Sequence, residues 1–140
     1  MRSTLRLLPA LSVLTIALAG CSSSSKPNTQ ENAAAAPNQL LEVAGMLRDY
    51  SATYNRGPAK AADLAAFETA YPFGFQAVKS GQIEVVWSAT VAGEGGGGSE
   101  SVVAYEKKVP AEGGYVLLEN GKVKEMKPAE FQAAPRAGKR

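Results

Sequence analysis

The 140-residue chain contains no histidine and a single cysteine, Cys21. The first absence removes the Ser-His-Asp and Cys-His arrangements of nucleophilic catalysis. It also leaves zinc with carboxylates alone, a poor donor set for that metal. The second absence removes any intrachain disulfide, so the folded part must hold together by packing. Aspartate is scarce as well: Asp49 and Asp63 are the only two, and no Asp-x-Asp-x-Asp-Gly ladder for calcium occurs. No metal or cofactor is therefore expected. A surplus of one charge is missing too, with 15 Lys+Arg against 13 Asp+Glu. Arg2 and Arg6 lie in a leader argued below, and without them the basic count equals the acidic count of 13. A neutral chain has no electrostatic footprint for nucleic acid. Finally, no long hydrophobic run exists. The longest apolar stretch, Leu7 to Ala19, has thirteen residues with Pro9 near its start, short of the roughly 20 that span a bilayer. What remains is a chain 45% hydrophobic and 20% charged, which suits one small globular domain.

A basic start, Met1 to Arg6, precedes the apolar run, which ends in Leu18-Ala19-Gly20-Cys21. This order reads as a signal peptide. Its end resembles the lipobox of bacterial lipoproteins: an apolar residue, two small ones, then cysteine. The resemblance implies cleavage between Gly20 and Cys21, so that residues 1–20 are removed. It also implies a diacylglycerol and palmitate on Cys21, which would be the mature N-terminus. Acyl chains contribute about 0.8 kcal/mol per buried CH₂, and two or more anchor stably. Ser22 follows the cysteine. In lipoproteins of well-studied diderm bacteria an aspartate there favours the inner membrane, so the resemblance implies the outer membrane rather than the inner. Residues 21–37 read as the lipidated cysteine and a flexible tether, rich in Ser, Asn and Ala. Sixteen such residues span roughly 20–25 Å.

Residues 38–134 read as one α+β domain. Leu40, Val43, Leu47, Tyr50 and Tyr54 recur at helical spacing and predict an amphipathic helix beginning at an Asn38 N-cap and ending at Asn55-Arg56-Gly57-Pro58. A short second helix is expected within Ala59 to Ala70, with Asp63 as a possible cap. Tyr71-Pro72-Phe73-Gly74-Phe75 is expected to be a turn that packs its rings on the core. From Gly81 the period changes to two, predicting strands over Ile83 to Trp87 and Val102 to Glu106. Gly93 to Ser99, with five glycines, is expected to be a mobile hairpin loop, because a phosphate cradle needs a following helix. Asn120-Gly121 between Tyr115–Leu118 and Val123–Met126 predicts a two-residue hairpin turn. That turn would pair Glu119 with Lys122 and Leu118 with Val123, with Val116 on the same face. Pro128-Ala129-Glu130-Phe131 opens a last helix, and residues 135–140 read as a frayed basic tail. The expected core is Leu40, Leu47, Tyr50, Trp87, Tyr105, Val116, Leu118 and Phe131, in a helix packed on a three- to four-stranded antiparallel sheet.

The order of a long helix, an irregular segment and an antiparallel sheet resembles the globular part of type IV pilins and type II secretion pseudopilins. Ala104-Tyr105-Glu106 through Gly113-Gly114-Tyr115-Val116-Leu117-Leu118 and Asn120-Gly121-Lys122-Val123 carry the likeness. They look like the final hairpin of prepilin-like proteins of planctomycetes and of small lipoproteins of unknown function from that group. The pilin cleavage site and its long apolar helix are replaced by the lipobox, so filament assembly is not implied. The functional expectation is a non-enzymatic lipoprotein of the cell envelope, facing the periplasm or the surface. It would be held to a membrane through Cys21, with a monomeric domain that binds or scaffolds an envelope protein. Two alternatives stand beside it: an accessory component of a secretion or pilus-like machine, and a carboxylate-dependent hydrolase.

Overall fold

A computed structural model describes residues 29–93 and 97–138. Gly20, Cys21 and the tether up to Asn28 lie outside them. The chain order is α1 (Thr29–Tyr54), a 3₁₀ helix (Ala61–Phe67), α2 (Pro72–Lys79), β1 (Ile83–Val85), β2 (Val102–Glu106), α3 (Val109–Glu112), β3 (Gly114–Leu118), β4 (Val123–Met126) and α4 (Pro128–Ala133). The four strands form one antiparallel meander in the order β1-β2-β3-β4. The fold is therefore α+β.

Both faces of the sheet are covered. On the inner face Leu40, Val43, Ala44, Met46, Leu47 and Tyr50 of α1 pack on Ile83, Val85, Val103, Ala104 and Leu117. On the outer face Val102, Val116, Leu118 and Met126 pack under Val109 of α3 and Phe131 of α4. Each fully buried side chain of this size contributes about 1.5–3 kcal/mol. A bulge in β2 makes the double coverage possible. Val102 pairs with Leu118 and Ala104 with Leu117, which leaves Val103 as an extra residue. Val103 and Ala104 can then both serve the inner core, while Val102 and Tyr105 turn to the outer one.

Several local expectations are corrected. The helix does not begin at Asn38; it runs through it from Thr29 and contains Pro37. Ala33 to Ala36 are strong helix formers, and Ala36 is buried, which offsets the hydrogen bond that Pro37 lacks. Asp63 stands in the third position of the 3₁₀ helix and not at its cap. Its Oδ2 accepts the N–H groups of Ala59 (2.9 Å) and Lys60 (3.2 Å). Tyr71 to Phe75 is no turn: Pro72 opens α2, and Phe73, Gly74 and Phe75 lie in it.

The hairpin is shifted by one residue. Leu117, not Leu118, pairs with Val123. Gly121 N–H donates to the Leu118 carbonyl (2.9 Å) and Leu118 N–H to that of Lys122 (2.9 Å), with Gly121 at φ +80°. This is a three-residue loop with glycine in the left-handed position. The slip sends Val123 to the inner face, while Val116 and Leu118 face outward. Glu119 bonds Ser99 Oγ instead of pairing with Lys122.

Trp87 is not core but 38% exposed. β1 stops at Val85 because the chain turns at Ser88, whose φ is +66°, and Ser88 N–H donates to the Pro58 carbonyl (2.7 Å). Tyr105, also expected in the core, is half-buried. The ends of the glycine-rich run are tied to the hairpin tip: Ala92 N–H donates to the Glu119 carbonyl (2.7 Å), and Asn120 N–H to that of Ser99 (3.1 Å). Nor is the start of the expected tail frayed. Val102 N–H donates to the Pro135 carbonyl (2.8 Å), and Ala137 N–H to that of Val102 (3.0 Å), so residues 135–137 lie beside β2 in a parallel bridge.

α2 is drawn unusually close to α1. A methyl group on Gly74 would lie 2.7 Å from Cβ of Glu42 and 3.0 Å from the Val43 nitrogen. Gly45 lies under the Tyr71 ring. Two carboxylates of α1 fasten this contact: Glu42 Oε2 accepts Gly74 N–H (2.8 Å) and Asp49 Oδ2 accepts Tyr71 Oη–H (2.7 Å). Gly74→Ala should therefore lower stability by about 1–3 kcal/mol through overpacking against backbone. Gly93→Ala, which meets nothing within 4 Å, should stay within about 0.5 kcal/mol. Urea unfolding of the two variants measures the difference, and equal midpoints would refute the close contact.

Candidate functional site

The cleavage and lipidation residues of the sequence reading, Gly20 and Cys21, lie outside the described residues. The domain itself offers one surface of interest, at the end where β1 and β3 begin and β2 and β4 finish. Antiparallel order brings these four strand ends together. Three shallow depressions adjoin there. The first, about 510 Å³, is lined by Lys108, Glu112, Gly113, Gly114 and Lys127 among others. The second, about 430 Å³, shares Lys108 and adds Gln39, Gly81, Gln82 and Lys107. The third, about 230 Å³, shares Gln39 and lies beside Phe73, Ala35 and Glu42. Phe73 is 67% exposed, while Phe75, two residues on, is buried.

Local geometry explains why this end is open. Gly113 caps α3 at φ +80°, and Gly114 starts β3 at φ +151°. A Cβ at Gly114 would meet Glu106 Oε2 at 2.6 Å. The pair of glycines lets Glu106 fold inward, where Oε2 accepts the Tyr115 N–H (2.7 Å) and Oε1 faces Lys108 Nζ (3.4 Å). The sequence reading assigned no role to Lys107, Lys108, Lys127 or α3. The signal available was the Lys-Lys pair and the Gly-Gly pair that bracket Val109–Glu112 between two strands.

The outer face carries a second cluster. The Tyr105 and Phe131 rings meet edge-on at 4.7 Å. The Arg136 guanidinium lies over Phe131 at 3.6 Å and near Tyr105 at 5.4 Å. Tyr105 Oη–H donates to Glu84 Oε2 (3.0 Å). Arg136 Nη1 is buried without a hydrogen-bond partner, so its guanidinium rests on aromatic faces. This stack explains why residues 135–137 stay against the sheet.

Glu130, at the rim of the first depression, is held below the ordinary carboxylate range by a hydrogen bond from Lys124 Nζ (2.5 Å). It is thus an ionised partner of lysine, the opposite of a proton donor. Among the described residues no group of three or more Cys, Asp or Glu is placed to hold a metal ion. Comparison with family models, curated proteins and solved structures finds no match to the chain.

Two tyrosines are shifted upward by their surroundings. The Asp49 carboxylate that accepts its hydroxyl proton pushes Tyr71 above the ordinary 10.0, with burial adding to it. Burial, then the bond to Glu84, does the same to Tyr105. Above that ordinary value the unfolded tyrosines lose protons that the folded ones still hold, so alkali favours unfolding. The contribution is complete below pH 10.0 and fades as pH rises through the raised folded values. Tyr71→Phe and Tyr105→Phe should each cost about 1 kcal/mol at neutral pH. Together they should flatten the alkaline fall in the urea midpoint. An unchanged alkaline slope in the double variant would refute this assignment.

Proposed function

We propose that the chain is a lipoprotein of the bacterial cell envelope, anchored through Cys21, whose α+β domain has a binding or scaffolding role without catalysis. The observation that carries this reading is the ordered leader: basic start, thirteen-residue apolar run, then Leu18-Ala19-Gly20-Cys21. Several features are consistent with it. The domain core is built without cysteine, so acylation of the one thiol takes nothing from the fold. Among the described residues no helix is long and apolar enough to cross a membrane, so on this reading attachment falls to the lipid. Glu130, held ionised by Lys124, is not poised as the acid that a carboxylate-dependent hydrolase needs.

A second reading, an accessory part of a secretion or pilus-like machine, is favoured by the layout alone. A long first helix on the inner face of an antiparallel meander supports it. Recovery of pseudopilins with lipidated bait would favour it.

Replacing Cys21 by Ser removes the thiolate that accepts lipid. Cys21→Ser should abolish palmitate labelling and leave Met1 to Gly20 attached, while the urea midpoint of the domain stays unchanged. Labelling with palmitate and mass mapping of the N-terminus decide it. A wild-type N-terminus anywhere but at a lipid-modified Cys21 overturns the reading.

A further inference from the structure

We infer that Asn120 is a site of slow self-modification: its side-chain amide closes on the backbone nitrogen of Gly121, and the folded hairpin tip withholds that reaction until the tip opens.

The chemistry starts from the sequence. Of the five asparagines only Asn120 precedes a glycine. Glycine has no Cβ, so nothing crowds the nitrogen that must approach the neighbouring amide. In the reaction the Gly121 nitrogen gives up its proton and attacks Asn120 Cγ. The N–Cγ bond forms, the Cγ–Nδ2 bond breaks, and Nδ2 takes up a proton and leaves as ammonia. A cyclic succinimide remains. Water then opens either of its carbonyls. Attack at Cγ leaves aspartate at position 120. Attack at the main-chain carbonyl leaves an isoaspartyl linkage, with the chain running through the side-chain carbon. Water is consumed and ammonia released, with no change of oxidation state.

The fold prepares one reactant and ties down the other. Lys122 N–H donates to Asn120 Oδ1 (3.1 Å), which folds the amide back over the chain that carries the nucleophile and polarises its carbonyl. Positive charge stands close. Arg48 Nη2 lies 3.8 Å from where a Cβ on Gly121 would be, and Arg48 Nε is buried without a hydrogen-bond partner. A cation there favours the nitrogen that has lost its proton. Against this, Gly121 N–H donates to the Leu118 carbonyl (2.9 Å). While that bond stands, the nitrogen keeps its proton and the loop fixes its position.

The restraint extends beyond the loop. Asn120 N–H donates to the Ser99 carbonyl (3.1 Å), Glu119 N–H to that of Ser101 (2.8 Å), and the Glu119 carbonyl accepts Ala92 N–H (2.7 Å). Ser99 Oγ–H donates to Glu119 Oε2. Gly98 closes the clasp: a Cβ there would lie 2.8 Å from both Asn120 Cα and the Glu119 carbonyl oxygen. The tip therefore opens only when both flanks of the glycine-rich run let go, and this local opening sets the rate. The isoaspartyl product, with an added main-chain carbon, no longer matches the hydrogen bonds of the loop, so the clasp does not re-form on it. Conversion of Asn120 is thus a one-way record of tip opening.

The test incubates the purified full chain under mildly alkaline conditions, folded and in concentrated guanidinium, and follows the tryptic peptide 109–122 by mass and isoaspartate content. Conversion at Asn120 should be at least about tenfold slower in the folded chain, the protection that a closed local structure gives. Gly98→Ala, which overpacks the clasp against backbone, should recover most of that factor under folding conditions and leave the unfolded rate unchanged. Ser99→Ala, which removes only the Oγ bonds, should act in the same direction and serves if Gly98→Ala does not fold. No conversion at Asn120 in the unfolded chain overturns the site. Equal rates in the folded and unfolded chain overturn the restraint by the fold. Wild-type rates in the folded variants overturn the part assigned to the clasp.

Discussion

The two central strands must be buried on both faces, and the β2 bulge is what reconciles that demand with a five-residue strand. Without an extra residue at Val103, strict alternation would place Val103 and Ala104 on opposite sides. One of the two layers would then lose a fully buried contact. With the bulge, the inner face receives both small residues under α1, where the helix approaches closely. Val102 and Tyr105 are freed for the outer face, where α3, α4 and the Arg136 stack close over them. The short helices are thus not ornaments on a two-layer fold. They are the cover that a doubly apolar β2 and β3 require.

What was legible in the sequence had a strong period behind it. The stripe Leu40, Val43, Leu47 and Tyr50 is buried, and the runs at Val102, Tyr115 and Val123 are strands. Misreadings arose where one residue type serves two geometries. Asn-Gly suits a two-residue turn, yet glycine in the left-handed position equally closes a three-residue loop, and the second shifts every pair by one. Trp87 continues the alternation of Ile83 and Val85, but a turn fixed by Pro58, thirty residues earlier in the chain, ends the strand first. Nothing local announces a partner so remote. Tyr71 to Phe75 carries turn-like residues, but Pro72 is also favoured at the opening of a helix.

The strand-end surface of the domain was illegible in the sequence, whereas the lipobox resemblance at the chain end rests on the sequence alone, since Gly20 and Cys21 lie outside the described residues. Leu18-Ala19-Gly20-Cys21 is contiguous, so a motif can be recognised. Lys79, Lys107, Lys108 and Lys127 are scattered over nearly fifty positions, and only the antiparallel order of the strands brings them to one pole. Glu106, Glu112, Glu125 and Glu130 stand among them, so the surface is one of mixed charge. Such a grouping belongs to the topology and cannot be read as composition.

The seat of residues 135–137 beside β2 has a consequence for how the chain is made. A ribosome delivers β2 well before it delivers Pro135 and Ala137, so the edge of β2 at Val102 stands open while the rest is synthesised. Both layers need the end of the chain: the outer takes Phe131 and Arg136, and the inner takes Leu117 and Ala137 beside α1 and α2. Completion of either core therefore waits for the last described residues. The least settled surface of the sheet, the edge of β2 at Val102, persists until translation of the domain is nearly done.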